Sequence, residues 1–261
     1  AQTRAEEMID NFLKKLQSEN VEAVSEMATP GMQAAIYEAQ KQYAKSGDKD
    51  LEELLVDILV ERASTPERNI QQIVLDEALL IAPKLTTEQM DALTLNFLFS
   101  RTKKNSLGTL EDLLSYISEN IMPFAELLTK SSSCYEHLVY TGCISLMETS
   151  KLKPIPELLR KNYPGLFSNG FNEDKFQEIV GEISNFTQLT TACLHSKEKY
   201  QLSVMTTGVL IEECKKLKID KEDENKLVTI FNSTLMNDDE VTEFLTSNIA
   251  KIDHLITLWN E

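Results

Sequence analysis

The sequence predicts a mainly α-helical protein built from antiparallel helix hairpins, with a repeat-like N-terminal half and one small β-hairpin near residues 189–205. Three observations lead to this fold class. Glycine and proline are scarce, with 8 and 7 residues in a chain of 261, which disfavours a loop-rich β sandwich. Apolar residues recur at i, i+3 and i+4, as in amphipathic helices. Residues that cap helices stand before many of these segments.

Five helices are expected in the first hundred residues. Pro30-Gly31 and Ser46-Gly47-Asp48 separate the first three helices, Thr65-Pro66 predicts the start of the fourth, and Thr86 with Gln89 forms a predicted capping box for the fifth. The apolar stripes expected on the fourth and fifth helices consist of Ile70, Ile73, Val74, Ala78, Leu79, Met90, Leu93, Phe97 and Leu98.

Two helix hairpins of similar length, near residues 32–62 and 66–100, make this half resemble a helical repeat, although the consensus residues of the common repeats are absent. The predicted organisation is therefore a helical bundle or repeat-like region over residues 1–141. An irregular junction follows over 142–172, where several prolines and glycines cluster. A smaller, mostly helical region occupies 173–261.

The expected β-hairpin lies inside the last region. Residues on either side of the polar turn His195-Ser196-Lys197-Glu198 alternate or run apolar, which is typical of paired strands. Near the end of the chain, Ile252, Leu255, Ile256 and Trp259 share one helical stripe. We expect Trp259, the one tryptophan, to pack in a core, although it could instead face a segment that follows this sequence.

The charge balance bears on the partners of the protein. The formal net charge is −16, whereas duplex and membrane-surface binders need a basic face. A nucleic-acid-associated accessory domain would require a local basic face, for example one that joins Arg101, Lys103 and Lys104, and nucleic acid is not the expected partner. No apolar run approaches the roughly 20 residues that cross a bilayer, so no membrane span is expected.

The cysteines and the start of the chain indicate a compartment. Four cysteines are scattered through the sequence, and no secretory signal precedes them, so we expect reduced thiols and a cytoplasmic location. Residue 1 is alanine and the chain opens within a helical pattern. We therefore expect the sequence to be part of a longer protein.

Motifs for the common chemistries are missing. The sequence contains no phosphate-binding glycine loop, no dinucleotide fingerprint, no Gly-x-Ser-x-Gly and no His-Glu-x-x-His, each of which places particular atoms around a ligand or a reacting group. The EF-hand spacing is absent as well. Paired acids are frequent, and we interpret them as solvated helix faces and helix caps.

Cys134, His137 and Cys143 form the best candidate metal site. Cys134 and His137 are three residues apart and would share a helix face, and thiolate and imidazole ligands suit a tetrahedral Zn²⁺ site. Cys193 or His195 could supply the remaining ligand. The structural alternative is that the cysteines are small buried hydrophobic residues. No other cofactor is indicated.

Cys134 is also the candidate for a catalytic thiol. Ser133 with Glu136 predicts a capping box, so that Cys134 would lie in the first turn of a helix, where the dipole lowers the pKa of a thiol. His137 could act as its base. A structural cysteine remains the alternative.

Several segments resemble a known family. They are YAKSGDKDLEELLVDILVERA (43–63), RNIQQIVLDEALLIAPKLTTEQMDALTLNFLF (68–99), CYEHLVYTGC (134–143) and NYPGLFSNGF (162–171). Together they resemble an uncharacterised bacterial family that is known by locus-tag labels of the LPO/Vpar type. The resemblance implies no established activity and carries over no catalytic residue. A glycine-, asparagine- and aspartate-rich leading segment of its members resembles segments of phage-defence proteins.

Two functions from different classes follow. The first is a non-catalytic helical module for protein–protein interaction or oligomerisation in a bacterial cytoplasmic protein, linked to phage defence; amphipathic helices of this type build binding surfaces. The alternative is a metal-containing or thiol-dependent enzyme centred on Cys134, His137 and Cys143, which requires these side chains to converge.

Overall fold

A computed structural model describes residues 2–145, 152–180 and 186–260, and in these ranges the chain is mainly α-helical. The helices are α1 (Gln2–Glu19), α2 (Pro30–Ser46), α3 (Lys49–Ala63), α4 (Ile70–Ile81), α5 (Thr87–Arg101), α6 (Leu110–Asn120), α7 (Ser132–Tyr140), α8 (Ile155–Asn162), α9 (Glu173–Val180), α10 (Phe186–Leu189), α11 (Thr207–Lys216), α12 (Lys221–Ser233), α13 (Asp238–Asn248) and α14 (Ile252–Asn260). Strands β1 (Thr190–Cys193) and β2 (Ser196–Leu202) form one antiparallel hairpin. The predicted fold class, mainly α with a single small hairpin near 189–205, is confirmed.

The chain divides into two compact units. The first contains residues 1–90 and 131–146, and the second contains residues 91–130 and 147–261. This division differs from the predicted ranges 1–141, 142–172 and 173–261. Residues 146–151 of the predicted junction lie outside the described residues. Much of the remainder belongs to the second unit, because Ile155, Leu159, Leu166 and Phe167 are buried in its core.

The first unit is built on a three-helix bundle. Helix α1 packs on both α2 and α3, which also pack on each other. Helix α4 packs against α3 and α2. In a stacked repeat each unit contacts its neighbours only, so this packing is that of a bundle. Its fully buried side chains include Met8, Phe12, Leu16, Met32, Tyr43, Leu55 and Leu59.

The turn between α2 and α3 forms as predicted. Gly47 adopts a left-handed conformation, with φ of 67°, and its N–H donates to the Tyr43 carbonyl at 2.8 Å. Asp48 then caps α3 by accepting from the backbone N–H groups of Asp50 and Leu51. A residue with φ above zero is strained unless it is glycine, so the sequence fixes the end of one helix and the start of the next.

The predicted start of α4 at Thr65-Pro66 was wrong. The helix begins at Ile70, because Asn69 caps it by accepting from the Gln72 backbone N–H at 3.0 Å. The Gln72 side chain turns back and donates to the carbonyls of Thr65 and Pro66, each at 3.1 Å. The segment before the helix is therefore held as a loop by a side chain of the helix.

The expected stripe of α5 was also placed incorrectly. Phe97, a member of the predicted stripe, is 57% exposed, whereas Leu95 and Phe99, which the predicted stripe leaves out, are buried in the core of the second unit. Helix α5 carries apolar residues on several sides, so spacing alone did not identify the buried side. The prediction for Trp259 is confirmed: it lies in the same core with Ile252, Leu255 and Ile256.

The hairpin has a shorter turn than predicted. Leu194 and His195 form it, and Ser196 to Glu198 belong to β2. Thr190 pairs with Leu202 and Ala192 with Tyr200, and the register shifts between Ala192 and Cys193. The hairpin covers a separate cluster of buried residues in the second unit, which includes Phe171, Phe176, Leu189, Leu202, Leu210, Leu227 and Phe231.

No helix within the described ranges combines the length and the hydropathy that a membrane span requires.

Candidate functional site

Helix α7 carries two of the predicted site residues. It begins at Ser132, and Ser131, which precedes it, makes no capping hydrogen bond from its side chain. The predicted capping box of Ser133 and Glu136 was therefore wrong, because the helix starts one residue before the predicted cap. Cys134 still lies in the first turn, and both Cys134 and His137 are half-buried.

Gln89 connects both residues to the start of α5. Its side chain is buried, and its Nε2 donates to the Cys134 carbonyl at 2.8 Å and lies 3.0 Å from His137 Nδ1. The Gln89 Oε1 accepts from the Thr86 backbone N–H at 3.1 Å, and the Gln89 N–H donates to Thr86 Oγ1 at 3.4 Å. This is the predicted capping box, and it is confirmed.

Cys143 lies beyond the opposite end of α7. Its N–H donates to the Leu138 carbonyl at 2.9 Å, and its Sγ accepts from Thr141 Oγ1 at 3.3 Å. Gly142, with φ of 78°, makes the turn that ends the helix. Six residue-to-residue steps along the helix, from Cys134 to Tyr140, place the two ends roughly 9 Å apart along the helix axis. Among the described residues, no three side chains of His, Cys, Asp or Glu are grouped so that they could hold a metal ion.

The environment of Cys134 disfavours a thiolate. Burial raises the pKa of this thiol, and the nearby Glu88 carboxylate raises it further, against an opposing hydrogen bond from Gln89. Catalytic cysteines instead need a depressed pKa, since the thiolate is the nucleophile. His137 points its Nδ1 to Gln89. The arrangement is that of a structural contact between α5 and α7.

Cys193 and His195, the other proposed ligands, lie in the second unit. The Cys193 thiol donates to the Ser168 carbonyl at 3.3 Å, and His195 Nε2 lies 2.7 Å from the Leu166 carbonyl, to which it donates. Gln201, which is buried, adds a third such bond from Nε2 to the Gly165 carbonyl at 3.0 Å. These side chains fasten the β-hairpin to the segment 164–168.

A groove between α1 and α3 is occupied by its own ion pairs. Lys15 pairs with Asp57, and Asn11 donates to Glu52 at 2.8 Å. Lys49 bonds to a carboxylate of α1. Since neighbouring carboxylates neutralise these cations, the groove offers little positive charge to a ligand.

The outer face of α4 is the feature that sequence reasoning missed. Ile70 is 75% exposed, Val74 53%, Leu80 48% and Ile73 39%. Ile70, Ile73 and Val74, which belong to the predicted apolar stripe, therefore point away from the core. The buried side of the helix carries Gln72 and Leu79 instead.

Polar contacts explain this orientation of α4. The buried Arg62 of α3 donates from Nε to Asp76 Oδ1 at 2.7 Å, and Gln72 binds the loop before the helix. Gln72 and Asp76, the two residues of α4 that make these contacts, lie on the side of the helix that faces α3 and the preceding loop. The aliphatic side chains of α4 therefore point outward. The spacing of α4 does not reveal this orientation, because its polar residues lie on both sides: Gln72 is buried, whereas Glu77 is exposed.

Comparisons with known proteins place the chain in a family. A family model matches residues 1–261, and its description is a locus-tag label of the "-like" form. No curated protein and no solved structure matches the sequence. Because the match covers the full length, the chain belongs to this locus-tag-named family, as the segments quoted above indicated.

Proposed function

We propose that the protein is a non-catalytic helical module that binds another protein through the outer face of α4. The observation that supports this function is the exposure of four aliphatic side chains on one helix. Soluble monomers seldom expose contiguous apolar patches, and those that do commonly use them as interaction sites.

The exposed residues form one stripe. Ile70, Ile73 and Val74 have i, i+3 and i+4 spacing, and Leu80 continues the stripe two turns further on. Glu77 is exposed and lies on the same face. Covering an Ile, Leu or Val side chain completely contributes about 1.5–3 kcal/mol, so a partner that covers this stripe gains substantial hydrophobic free energy. Amphipathic helices recognise such stripes through anchors with the same spacing.

The charge on the stripe identifies the chemistry of the partner. Glu77 lies near the middle of the apolar face, and none of the described residues forms an ion pair or hydrogen bond with it. In a symmetric pair of α4 helices, two Glu77 carboxylates would approach each other in an apolar interface, which is unfavourable. A basic residue opposite Glu77 is favourable, and the net charge of −16 attracts a basic partner at long range. The occupant that we propose is therefore an amphipathic helix with an apolar stripe and a central Lys or Arg.

The cytoplasm is the proposed location. Cys134, Cys143, Cys193 and Cys214 are all free thiols, which suits a reducing compartment. The link to phage defence rests on the family resemblance, and the experiment below does not depend on it.

A pair of designed peptides tests the proposal. Both form an amphipathic helix with leucines at i, i+3, i+4 and i+7; one carries Lys at the central position of the stripe and the other carries Glu. We expect saturable binding of the Lys peptide by calorimetry, and binding of the Glu peptide that is weaker by about tenfold or more.

Two variants of the protein complete this test. Ile73→Glu places a second charge in the stripe and should abolish binding of the Lys peptide. Val209→Glu, which changes a 42% exposed valine on α11, is the matched control and should leave binding unchanged. Equal binding of both peptides, or equal loss in both variants, would refute the proposal. A dimer of the wild type that Ile73→Glu dissociates would show that a second copy occupies the face instead.

A further inference from the structure

A second feature, independent of the α4 face, is a cavity of about 440 Å³ in the second unit. Arg101, at the end of α5, and Lys103, just after it, line one side of the cavity. Lys153, which precedes α8, Lys161 of α8 and Trp259 of α14 also line it. Its size lies in the range of small-molecule sites, about 300–1,000 Å³.

Three of these cations form no ion pair with a carboxylate of the described residues. Lys153 is paired with Glu157. In the described part of the chain, no ion pair joins Arg101, Lys103 or Lys161 to an acidic side chain, although Lys103 Nζ lies 5.6 Å from the centre of the Tyr163 ring. Three cations that form no ion pair with a described carboxylate stand out around one cavity in a chain whose net charge is −16.

The local charge indicates the charge of a ligand. Arg101 and Lys161 lie in the last turns of α5 and α8, where each helix end acts as about half a negative charge. Lys103 lies beyond α5, so its positive charge is not offset by the partial negative charge of a helix end. Three positive charges and two helix ends leave a balance of about +2, which matches the dianionic phosphate of a monoester at neutral pH. Arginine binds phosphate oxygens with two parallel hydrogen bonds.

The floor of the cavity is apolar. Trp259 and Phe99 meet edge to face with ring centres 4.9 Å apart. The indole N–H is already used, because Nε1 donates to the Lys153 carbonyl at 2.9 Å. The ring therefore offers a ligand only its apolar surface, next to Leu158. Such a floor suits an apolar or aromatic group attached to the anion.

We propose that this cavity binds a small phosphate monoester. The phosphate lies between Arg101, Lys103 and Lys161, and the apolar body of the ligand packs on Trp259 and Phe99.

Trp259 provides the readout, because it is the single tryptophan of the chain. The protein is titrated with phenyl phosphate, with inorganic phosphate and with benzyl alcohol, while tryptophan fluorescence and heat are recorded. We expect saturable binding of phenyl phosphate, weaker binding of inorganic phosphate because it lacks the apolar body, and no binding of benzyl alcohol because it lacks the charge.

Charge-removing variants locate the site. Lys161→Ala and Arg101→Ala should each weaken phenyl phosphate binding by about tenfold, as expected for a lost charge-assisted hydrogen bond. Lys216→Ala, which removes an exposed lysine of α11 that is paired with Glu213, is the control and should bind as the wild type does.

Three outcomes would overturn this proposal. The first is the absence of saturable binding in both measurements. The second is an equal effect of Lys216→Ala and Lys161→Ala, which would indicate general charge screening. The third is binding of a single-stranded oligonucleotide that depends on Lys161 and is much tighter than that of phenyl phosphate, since the cavity would then be part of a nucleic-acid surface.

Discussion

Arg62 donates from its Nε to Asp76 Oδ1 across 2.7 Å, and this ion pair joins the end of α3 to the middle of α4. Arg62 is buried, whereas the Asp76 side chain is about half exposed, at 46%. The pair holds the polar side of α4 inward. The aliphatic side that we propose as the binding face is outward as a consequence.

Removing the carboxylate should destabilise the protein. Asp76→Ala leaves a buried guanidinium without its partner, and we expect the free energy of unfolding to fall by about 1–3 kcal/mol. Urea denaturation measures this change. Asp57→Ala is the matched control, because its ion pair with Lys15 is exposed and should contribute less than about 1 kcal/mol. Equal losses in the two variants would contradict the role given to Arg62.

Gln89 should be the most sensitive polar side chain of the first unit. Gln89→Leu keeps the volume but leaves the Thr86 N–H, the Cys134 carbonyl and His137 without their partner. We expect a loss of roughly 2–3 kcal/mol in the free energy of unfolding, since buried polar groups without partners are costly. Gln17→Leu, on the exposed face of α1, should change stability by less than about 0.5 kcal/mol. A neutral Gln89→Leu variant would show that these hydrogen bonds add nothing.

Glycine substitutions separate backbone strain from steric overlap. An added Cβ at Gly170, where φ is 69°, would lie 2.8 Å from the Tyr200 carbonyl oxygen and 2.9 Å from Cys193 Sγ. Gly142 has φ of 78° with nothing within 4 Å, and Gly108 has neither constraint.

The three alanine variants should therefore rank in stability. Gly142→Ala should cost about 1–2 kcal/mol, the penalty of a left-handed conformation. Gly170→Ala should cost more, because the hairpin must also shift, and Gly108→Ala should be close to neutral. Thermal unfolding gives the ranking. A Gly170→Ala variant as stable as Gly142→Ala would argue against tight packing of the hairpin on this segment.

Much of the fold could be predicted from local chemistry. Thr109 with Asp112 and Asn237 with Glu240 form the capping boxes that their spacing predicts, and Gly47 ends α2 for a reason that is visible in the sequence. These signals act within a few residues. The β-hairpin was predictable too, because the strands are adjacent in the chain.

The binding face and the cavity could not be predicted, because both depend on contacts between distant residues. The direction in which α4 faces is set by Arg62, which lies 14 residues before Asp76. The cavity joins residues near 101, 161 and 259. The local spacing of Cys134 and His137 favoured a metal site, but the side chain that meets both is the distant Gln89.

The pH dependence of alkylation tests the environment of Cys134. Burial and the Glu88 charge raise the pKa of this thiol, so alkylation at Cys134 in the folded protein should increase only at higher pH than in the urea-unfolded chain. Glu88→Gln removes one cause and should shift the profile to lower pH. Mass spectrometry of peptides resolves the site. A folded profile at lower pH than the unfolded one would restore Cys134 as a candidate nucleophile.

The same shift has a consequence for stability. The folded state holds the Cys134 proton more tightly than the unfolded state, whose thiol pKa is about 8.5. The contribution of the protonated Cys134 thiol to the free energy of unfolding is therefore complete below about pH 8.5, and it is lost as the pH rises through the pKa of this thiol in the folded state. The free energy of unfolding should decline in this alkaline range for the wild type, and by less for Cys134→Ser.

The most direct test of the binding face is a charge reversal at Glu77. We predict that the wild type prefers the amphipathic peptide with a central Lys and that Glu77→Lys prefers the peptide with a central Glu, each by about tenfold in Kd. Calorimetry measures the four affinities. A reversed preference means that the partner helix lies along α4 with its charge opposite residue 77. An unchanged preference for the Lys peptide in Glu77→Lys would contradict the account, because attraction to the general acidic surface would then explain the binding.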